Sequence, residues 1–266
     1  MAYDVAGARG TQAAGGLRTL VASGRAAGGG WCMIASPLAT EIVSASGCEW
    51  LCLDLQHGQI GEAEMRAMLM AAAIRRTPAF VRVPWNEPAA IMRALDAGAD
   101  GIIVPMVNTP QEAERAVAAV RYPPAGYRSW GPLRSLMSTP GFDPAMGNRE
   151  IVLLVMIETV EAVEQLDAIL AVPGLDGVFV GPHDLAISHA GTNAQAGVSP
   201  RDVEMITAIA AACRARNLAA GIACANGADA RRYAELGYTL LALASDAALL
   251  GEGLAGILAD AGGRAP

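Results

Sequence analysis

The chain alternates short apolar runs with longer stretches in which apolar residues recur every three or four positions. The short runs are bounded by Gly and Pro, which is typical of strands buried on both faces of a parallel sheet. The predicted strands are Gly30–Ala35, Glu49–Asp54, Ala79–Pro84, Gly101–Met106, Ile151–Ile157, Asp176–Gly181, Leu218–Cys224 and Thr239–Ala244. The periodic stretches between them predict amphipathic helices.

Local signals mark where several of these helices begin and end. Thr109 and Glu112 form a capping box around a proline at the first helical position, and Gly98 and Gly237 stand where helices stop. The predicted helices are Leu17–Ser23, Glu62–Ile74, Pro88–Leu95, Pro110–Val120, Glu161–Leu170, Pro200–Arg214, Ala228–Leu236 and Ala247–Ala261.

Eight strands alternating with helices predict an α/β fold, a (β/α)8 TIM barrel. We expect one barrel domain over residues 17–266, preceded by a flexible Gly- and Ala-rich extension over residues 1–16. An open doubly wound sheet is the alternative, but no GxGxxG motif follows the first strand.

Composition narrows the range of functions. The net charge of −7 argues against nucleic acid and anionic membranes as partners, and no apolar run approaches the ~18 residues of a membrane span. All 19 Lys and Arg residues are arginine, so an imine between a keto substrate and a lysine is excluded. Five cysteines without CxxC spacing favour a reducing, cytoplasmic location.

Two carboxylates follow neighbouring predicted strands. Glu158 comes directly after Ile151–Ile157, and Asp184 comes shortly after Asp176–Gly181. A right-handed crossover between parallel neighbours places both at the same edge of the sheet. Oxygen ligands that converge there suit Mg²⁺, Mn²⁺ or Co²⁺. Taken singly, Asp184 could instead cap the next helix, and Glu158 could be a charge on the rim.

The other strand ends add candidates for acid–base and anion chemistry. His57 lies three residues after Asp54, which predicts either a general base oriented by that aspartate or a packing histidine. Arg82 in the third strand needs an anion, either a substrate carbonyl that becomes an enolate or a structural partner such as Asp54 or Glu158. The turn at residues 181–184 opens a helix whose free N–H groups suit a substrate carboxylate.

Six strings in order carry a family resemblance: GCEWLCLDLQHG, FVRV, GIIVPMVNT, RYPPAGYRSWG, VMIET and GVFVGPHDL. Over roughly residues 17–260 the chain resembles the HpcH/HpaI aldolase family, the metal-dependent class II pyruvate aldolases. The resemblance implies a (β/α)8 barrel whose last helix is exchanged between neighbours in a homohexamer, a trimer of dimers. It also implies that Glu158 and Asp184 hold a Mg²⁺, Mn²⁺ or Co²⁺ ion, which binds a keto acid through its carboxylate and 2-oxo oxygens.

The same resemblance assigns roles to the remaining candidates. His57, paired with Asp54, is expected to be the catalytic acid/base, and Arg82 is expected to bind the 2-oxo oxygen. The residues expected to bind the rest of the substrate are Gly181, His183, Asp184 and Trp31. The amides of His183 and Asp184 would cradle the carboxylate, and Trp31 would line the pocket, although core packing explains it equally well.

The implied reaction is the reversible retro-aldol cleavage of 4-hydroxy-2-oxo acids to pyruvate or hydroxypyruvate and an aldehyde, through an enolate that the metal stabilises. Many sugar-acid aldolases of the family read DGEH where residues 54–57 read DLQH, and they have Gln where this chain has Met156. The DLQH form resembles the hydroxypyruvate-accepting branch. The rival interpretations are an acyl-CoA lyase of the citrate-lyase β type and a non-catalytic barrel that binds a keto acid.

Overall fold

The computed structural model describes residues 16–191 and 199–262, and its centre is a closed barrel of eight parallel strands. The strands follow one another around the barrel in chain order, and β8 pairs with β1. They are β1 (Ala27–Cys32), β2 (Trp50–Asp54), β3 (Ala79–Arg82), β4 (Gly101–Val104), β5 (Val152–Ile157), β6 (Gly177–Val180), β7 (Ala219–Ala223) and β8 (Leu240–Ser245). The predicted (β/α)8 barrel is confirmed. Apart from Gly16, the predicted extension lies outside the described residues.

Helices precede, connect and follow the strands. They are α1 (Leu17–Ala22), α2 (Pro37–Ala45), α3 (Glu62–Ile74), α4 (Pro88–Asp96), α5 (Pro110–Val120), α6 (Leu133–Ser138), α7 (Pro144–Glu150), α8 (Val160–Glu164), α9 (Leu166–Leu170), α10 (Pro182–Ala190), α11 (Pro200–Ala215), α12 (Gly227–Leu236) and α13 (Asp246–Asp260). The predicted capping box at Thr109 and the left-handed cap at Gly237 are both present. The single helix predicted over residues 161–170 is instead two short helices. Among the described residues, none of the helices is long and apolar enough to cross a membrane.

The first strand begins and ends three residues earlier than predicted. Glycines are expected at the boundary of a strand, but the three glycines at positions 28–30 lie inside this one. A Cβ on Gly29 would lie 2.1 Å from the indole of Trp50, which fills the barrel interior at this level. The glycines are therefore needed for packing rather than for a turn. The shift also moves Trp31 from the start of the strand to its C-terminal end.

Alternate residues of each strand point into the barrel, as parallel pleated strands require. The interior cluster contains Trp50 and Cys52 from β2, Phe80 from β3, and Leu154 and Met156 from β5, together with residues of the other strands. Helix α1 adds Leu17 and Leu20 to the same cluster, at the N-terminal end of the barrel. Continuing the alternation places the side chains of Asp54, Arg82 and Glu158 inside the opposite, C-terminal end.

Helix α13 leaves its apolar side chains in solvent. Asp246 is its only buried residue. The exposed apolar residues of the helix are Leu249, Leu250, Leu254, Ile257 and Leu258. On the barrel itself, Leu243 of β8 and Leu38 and Ile42 of α2 are also exposed. The last helix therefore leaves both its own apolar face and a neighbouring part of the barrel wall without cover.

Candidate active site

Asp54 ends β2 and is fully buried among hydrogen-bond donors. Its Oδ1 accepts the backbone N–H groups of Gln56 and His57 at 3.0 and 3.2 Å and Nε of Arg82 at 2.9 Å. Its Oδ2 accepts Nη2 of Arg82 at 2.6 Å and Nε1 of Trp31 at 3.1 Å. Burial acts to raise the pKa of Asp54, but the bonds and charge of Arg82 outweigh it and lower that pKa. Asp54 is therefore a fixed anion with both oxygens occupied.

Arg82 lies opposite Asp54 in the register of β2 and β3, and its side chain is only 9 % exposed. Burial acts to lower its pKa, and Asp54 raises it by more. The guanidinium carbon stands 5.0 Å from the centre of the Trp31 ring, a cation–π contact. Among the described residues, the remaining nitrogen, Nη1, donates only to Sδ of Met156, at 3.8 Å. The structural ion pair with Asp54, one of the two expectations for Arg82, is thus present, and it leaves Nη1 weakly held.

His57 does not pair with Asp54 in the expected way. The hydrogen bond between the two residues comes from the backbone N–H of His57, and no described residue bonds to its exposed imidazole. Both oxygens of the Asp54 carboxylate already accept hydrogen bonds from other donors, so neither is left for the imidazole of His57. The loop is fixed instead by Gln59, whose N–H donates to the carbonyl of Met33 at 2.8 Å, and by the close approach of Gly58 to the carbonyl of Asp54.

Glu158 follows β5 and is 2 % exposed. Its Oε1 accepts the backbone N–H of Met106 at 2.7 Å, and Met106 adopts a φ of 54°, which is uncommon for a residue with a side chain. Its Oε2 is buried, and no described residue hydrogen-bonds to it. Burial, with the charge of Asp184, raises the pKa of Glu158 to about 7 in spite of Met106 and Arg82. A buried carboxylate oxygen of this kind needs a proton or a cation.

The turn from β6 into α10 brings Asp184 towards Glu158. Gly181 is the N-cap residue, and Asp184 in the first turn makes no capping hydrogen bond, so the capping alternative is not what the structure shows. A Cβ on Gly181 would lie 2.7 Å from Oε2 of Glu158 and 3.2 Å from Cε of Met156. Glycine at this position therefore leaves room beside that buried oxygen. His183 is exposed beside it, and its N–H belongs to the first helical turn, where backbone donors lack helical partners.

The two carboxylates fit a divalent cation. A cation would supply the partner that Oε2 of Glu158 lacks and would offset its repulsion with Asp184. Within residues 16–191 and 199–262, no group of three or more His, Cys, Asp or Glu side chains is arranged to hold a metal. An ion held by two carboxylates alone keeps several coordination positions for water and substrate.

Two hydrogen bonds join the segment after Glu158 to its neighbours. The hydroxyl of Thr159 donates to Oδ1 of Asn108 at 2.6 Å, and its oxygen also accepts the N–H of Ala162 as the cap of α8. The N–H of Val160 donates to the hydroxyl of Ser188 on α10 at 3.0 Å. The residue after Glu158 is thus joined to the loop after β4, and the next residue to the helix that carries Asp184.

Sequence reasoning assigned no role to Met106, Ser188 or Asp246. The carboxylate of Asp246 accepts the N–H groups of Met33 and Ile34 at 2.8 and 3.2 Å, and so fixes the loop after β1. Asp246 directly follows the eighth strand, so the sequence does indicate that it lies at the C-terminal end of the barrel. Met106 donates its backbone N–H, and the hydroxyl of Ser188 accepts the backbone N–H of Val160. Backbone donors of this kind leave no signature in the sequence.

A hollow of about 700 Å³ lies at the other end of the barrel. Its walls include Leu17 and Arg18 of α1, Ala79 at the start of β3 and Ile151 just before β5. None of the candidate site residues lines it. The candidate site residues lie instead at the C-terminal strand ends, where barrel enzymes carry their active sites.

Comparison with known proteins identifies the family. Residues 29–252 match the family model of the HpcH/HpaI aldolase/citrate lyase family. A 5-keto-4-deoxy-D-glucarate aldolase from Salmonella gallinarum is 40% identical over 82% of this chain and 85% of its own length. A hydroxypyruvate/pyruvate aldolase from Rhizorhabdus wittichii is 37% identical over 92% of this chain and 98% of its own. The crystal structure of an HpcH/HpaI aldolase/citrate lyase family protein from Burkholderia cenocepacia superposes with a TM-score of 0.82 at 29% identity, covering 92% of this chain and 98% of that one.

A closed (β/α)8 barrel with paired charges at its C-terminal strand ends defines a barrel enzyme. The family match spans most of the chain, and the chain belongs to the HpcH/HpaI aldolase/citrate lyase family. With aldolases as relatives at 40% and 37% identity, it is a carbon–carbon lyase of the aldolase type.

The Asp54–Arg82 pair predicts a large stability effect from a nearly isosteric change. Asp54→Asn leaves Arg82 buried without its counter-charge, so we expect the free energy of unfolding in urea to fall by roughly 3–5 kcal/mol. The exposed pair between Glu62 and Arg93 is the control, and Glu62→Gln should leave the urea midpoint close to that of the wild type. Equal urea midpoints for Asp54→Asn and the wild type would contradict this account.

Glu158 predicts a specific pH dependence of stability in the metal-free protein. Its pKa of about 7 when folded exceeds the ordinary 4.5, so the folded state keeps a proton that the unfolded state loses. Stability should therefore fall as the pH rises from about 4.5 to about 7, by on the order of 3 kcal/mol relative to Glu158→Gln. Urea unfolding of both proteins across this range measures the difference. Parallel stability curves for the two proteins would show that the Glu158 pKa is ordinary.

Proposed function

We propose that this protein is a metal-dependent class II aldolase that cleaves 4-hydroxy-2-oxo acids reversibly to pyruvate or hydroxypyruvate and an aldehyde. The observation that carries the proposal is the buried, unpartnered Oε2 of Glu158, close to Asp184 and with Arg82 near by. The two relatives support the substrate class, since one is named for a keto-deoxy sugar acid and the other for hydroxypyruvate and pyruvate.

Glu158 and Asp184 are the proposed ligands of a Mg²⁺, Mn²⁺ or Co²⁺ ion. When bound, such an ion supplies a Lewis acid that polarises the 2-oxo group of a chelating keto acid. The protein's part is to hold the two carboxylates. Met106 fixes one oxygen of Glu158, and Ser188 links the segment that follows Glu158 to α10.

The remaining residues of the site bind the substrate and move its protons. Arg82 offers Nη1 to the 2-oxo oxygen, where negative charge grows as the enolate forms. The free N–H groups of His183 and Asp184 in the first turn of α10 receive the carboxylate. His57 serves as the acid/base, and no described residue hydrogen-bonds to its imidazole. Asp54 holds the loop and Arg82 in place and does not orient the imidazole ring. Trp31 holds its place against both Asp54 and Arg82.

We also propose that the chain forms a homohexamer, a trimer of dimers, in which α13 is exchanged between neighbours. The support is the row of exposed leucines and isoleucine on α13 and the exposed Leu243 on the barrel wall. An apolar helix that leaves its own barrel uncovered is suited to covering another copy. We place the protein in the cytoplasm, because all five cysteines are free.

Enolate formation gives a test that needs no aldehyde. With pyruvate in D₂O the wild type should exchange the methyl protons, chelation should abolish the exchange, and Mn²⁺, Co²⁺ or Mg²⁺ should restore it, as followed by proton NMR. Borohydride with pyruvate should leave the protein mass unchanged, since the chain has no lysine to trap. Full exchange after exhaustive chelation would refute metal dependence, and tight pyruvate binding without exchange would indicate a non-catalytic barrel.

The proposed acid/base predicts a kinetic defect without a folding defect. His57→Ala should lower aldol cleavage by about 10²–10⁴-fold, the usual cost of a lost proton-transfer group. The side chain is exposed and makes no hydrogen bond to a described residue, so the urea midpoint should stay near that of the wild type. His189, on the far end of α10, provides the control through His189→Ala. Near-native cleavage by His57→Ala would move the proton transfer to another group.

The exchanged helix predicts how the assembly breaks. Light scattering after size-exclusion chromatography should give the mass of six chains for the wild type. A double change, Leu250→Glu with Leu254→Glu, should yield smaller species, because charges cannot be buried in an apolar contact. Ile74→Glu, at an exposed apolar residue of α3, is the matched control and should leave the mass unchanged. A monomeric wild type would refute the proposed assembly.

A further inference from the structure

We infer that Met156 acts on the site through Arg82: because it offers Nη1 of Arg82 no strong acceptor, it keeps that nitrogen available to a substrate oxygen. The inference rests on the proposed function and deepens it. It assigns a role to a side chain that the sequence marked only as a departure, since many sugar-acid aldolases of the family have Gln where this chain has Met156.

The hydrogen bonds of Arg82 leave one edge of its guanidinium for a ligand. Nε and Nη2 are bound to the two oxygens of Asp54 at 2.9 and 2.6 Å, and breaking that ion pair would leave a buried charge on each side. Within the part of the chain that the structure describes, Nη1 donates only to Sδ of Met156, at 3.8 Å. A keto acid can therefore take Nη1 without disturbing Asp54. Binding a substrate oxygen at Nε or Nη2 would instead require breaking a hydrogen bond to Asp54.

The chemistry of residue 156 decides how easily that edge is released. A thioether sulfur is a weak acceptor, whereas the carbonyl of a glutamine side chain accepts a full hydrogen bond from a guanidinium. With glutamine at this position, a substrate oxygen would have to displace an amide oxygen from Nη1. With methionine it displaces a weak contact, so more of the interaction with the substrate is retained as net binding or transition-state stabilisation.

Met156 lies between Arg82 and the carboxylate of Glu158. Its side chain is 2 % exposed and lies against Arg82 on one side. On the other side its Cε would be 3.2 Å from a Cβ on Gly181, the same Cβ that would crowd Oε2 of Glu158. A change of polarity at residue 156 therefore acts between the arginine and the carboxylates. The unbranched thioether can still shift as a ligand enters.

The first arm of the test reads Arg82 directly in the metal-free protein without substrate. Protein labelled with ¹⁵N-arginine gives guanidinium NMR signals, and Arg82→Lys identifies those of Arg82 by their loss. In the wild type the Nη1 protons should exchange with solvent faster than the Nη2 protons that Asp54 holds. In Met156→Gln the Nη1 proton signal should move downfield and its solvent exchange should slow. Met156→Leu, which has a similar volume and no acceptor, should show neither change.

The second arm measures exchange of pyruvate methyl protons with D₂O in the metal-loaded proteins. Met156→Gln should slow this exchange by roughly tenfold or more, the scale of one hydrogen bond to a charged group, and Met156→Leu should stay within about threefold of the wild type. Met68→Leu, at a buried methionine of α3 in the outer core, is the control for the loss of a sulfur atom and should match the wild type. A loss of exchange equal in the Gln and Leu variants would indicate a packing role and overturn the inference.

The outcomes separate this inference from the proposed function. Equal solvent exchange of Nη1 and Nη2 protons in the wild type overturns the inference, and so does a native Nη1 signal in Met156→Gln. The wild-type measurement needs no variant, so it decides even where Met156→Gln fails to fold. A displaced signal with an unchanged rate of pyruvate exchange also overturns it, because Nη1 would then have no part in binding the substrate. A wild type that never exchanges pyruvate protons refutes the proposed function, and with it the substrate role of Nη1. In that case the arginine NMR spectra alone would decide whether Met156 affects Arg82.

Discussion

The buried ion pair between Asp54 and Arg82 is the interaction on which the C-terminal end of this barrel depends. It joins β2 to β3, and the same carboxylate also receives Trp31 from β1 and two amides from the loop that carries His57. A charge this deep persists only because every oxygen is bonded. A single side chain on β2 therefore holds three other parts of the site in place: Trp31, Arg82 and the loop that carries His57.

The carboxylate of Glu158 presents the opposite case. It is buried as deeply as Asp54, but one oxygen is bonded by a backbone amide and the other is left open. The two environments move the two pKa values in opposite directions, down for Asp54 and up to about 7 for Glu158. Such separation is how a protein gives different tasks to like groups. Asp54 is structural and permanently charged, and Glu158 is open to a cation or a proton.

The barrel makes this division possible because it is rigid where the charges lie. Bulky side chains fill the interior below the site, with Trp50 and Phe80 packed edge to face and Phe179 against Trp31. Gly29 provides the space for the Trp50 ring, and Gly181 provides the space beside Glu158. The interior thus supports Arg82 and Met156 from below and leaves the polar ends of the strands to solvent and ligands.

The sequence by itself determined the barrel, the family and the strand ends at which the charged residues stand. Apolar runs that end at a charged residue mark the C-terminal strand ends, so Asp54, Arg82 and Glu158 could be expected at the same end of the barrel. The sequence could not decide partners, because hydrogen bonds between strands depend on register and depth. Only the tertiary structure shows that the Asp54 carboxylate binds Arg82 and not the ring of His57, and that Trp31 lies at the end of β1. It also shows that Met106, with a left-handed backbone, donates its N–H to Glu158. These are contacts between residues far apart in the chain, and backbone donors carry no mark in the amino-acid code.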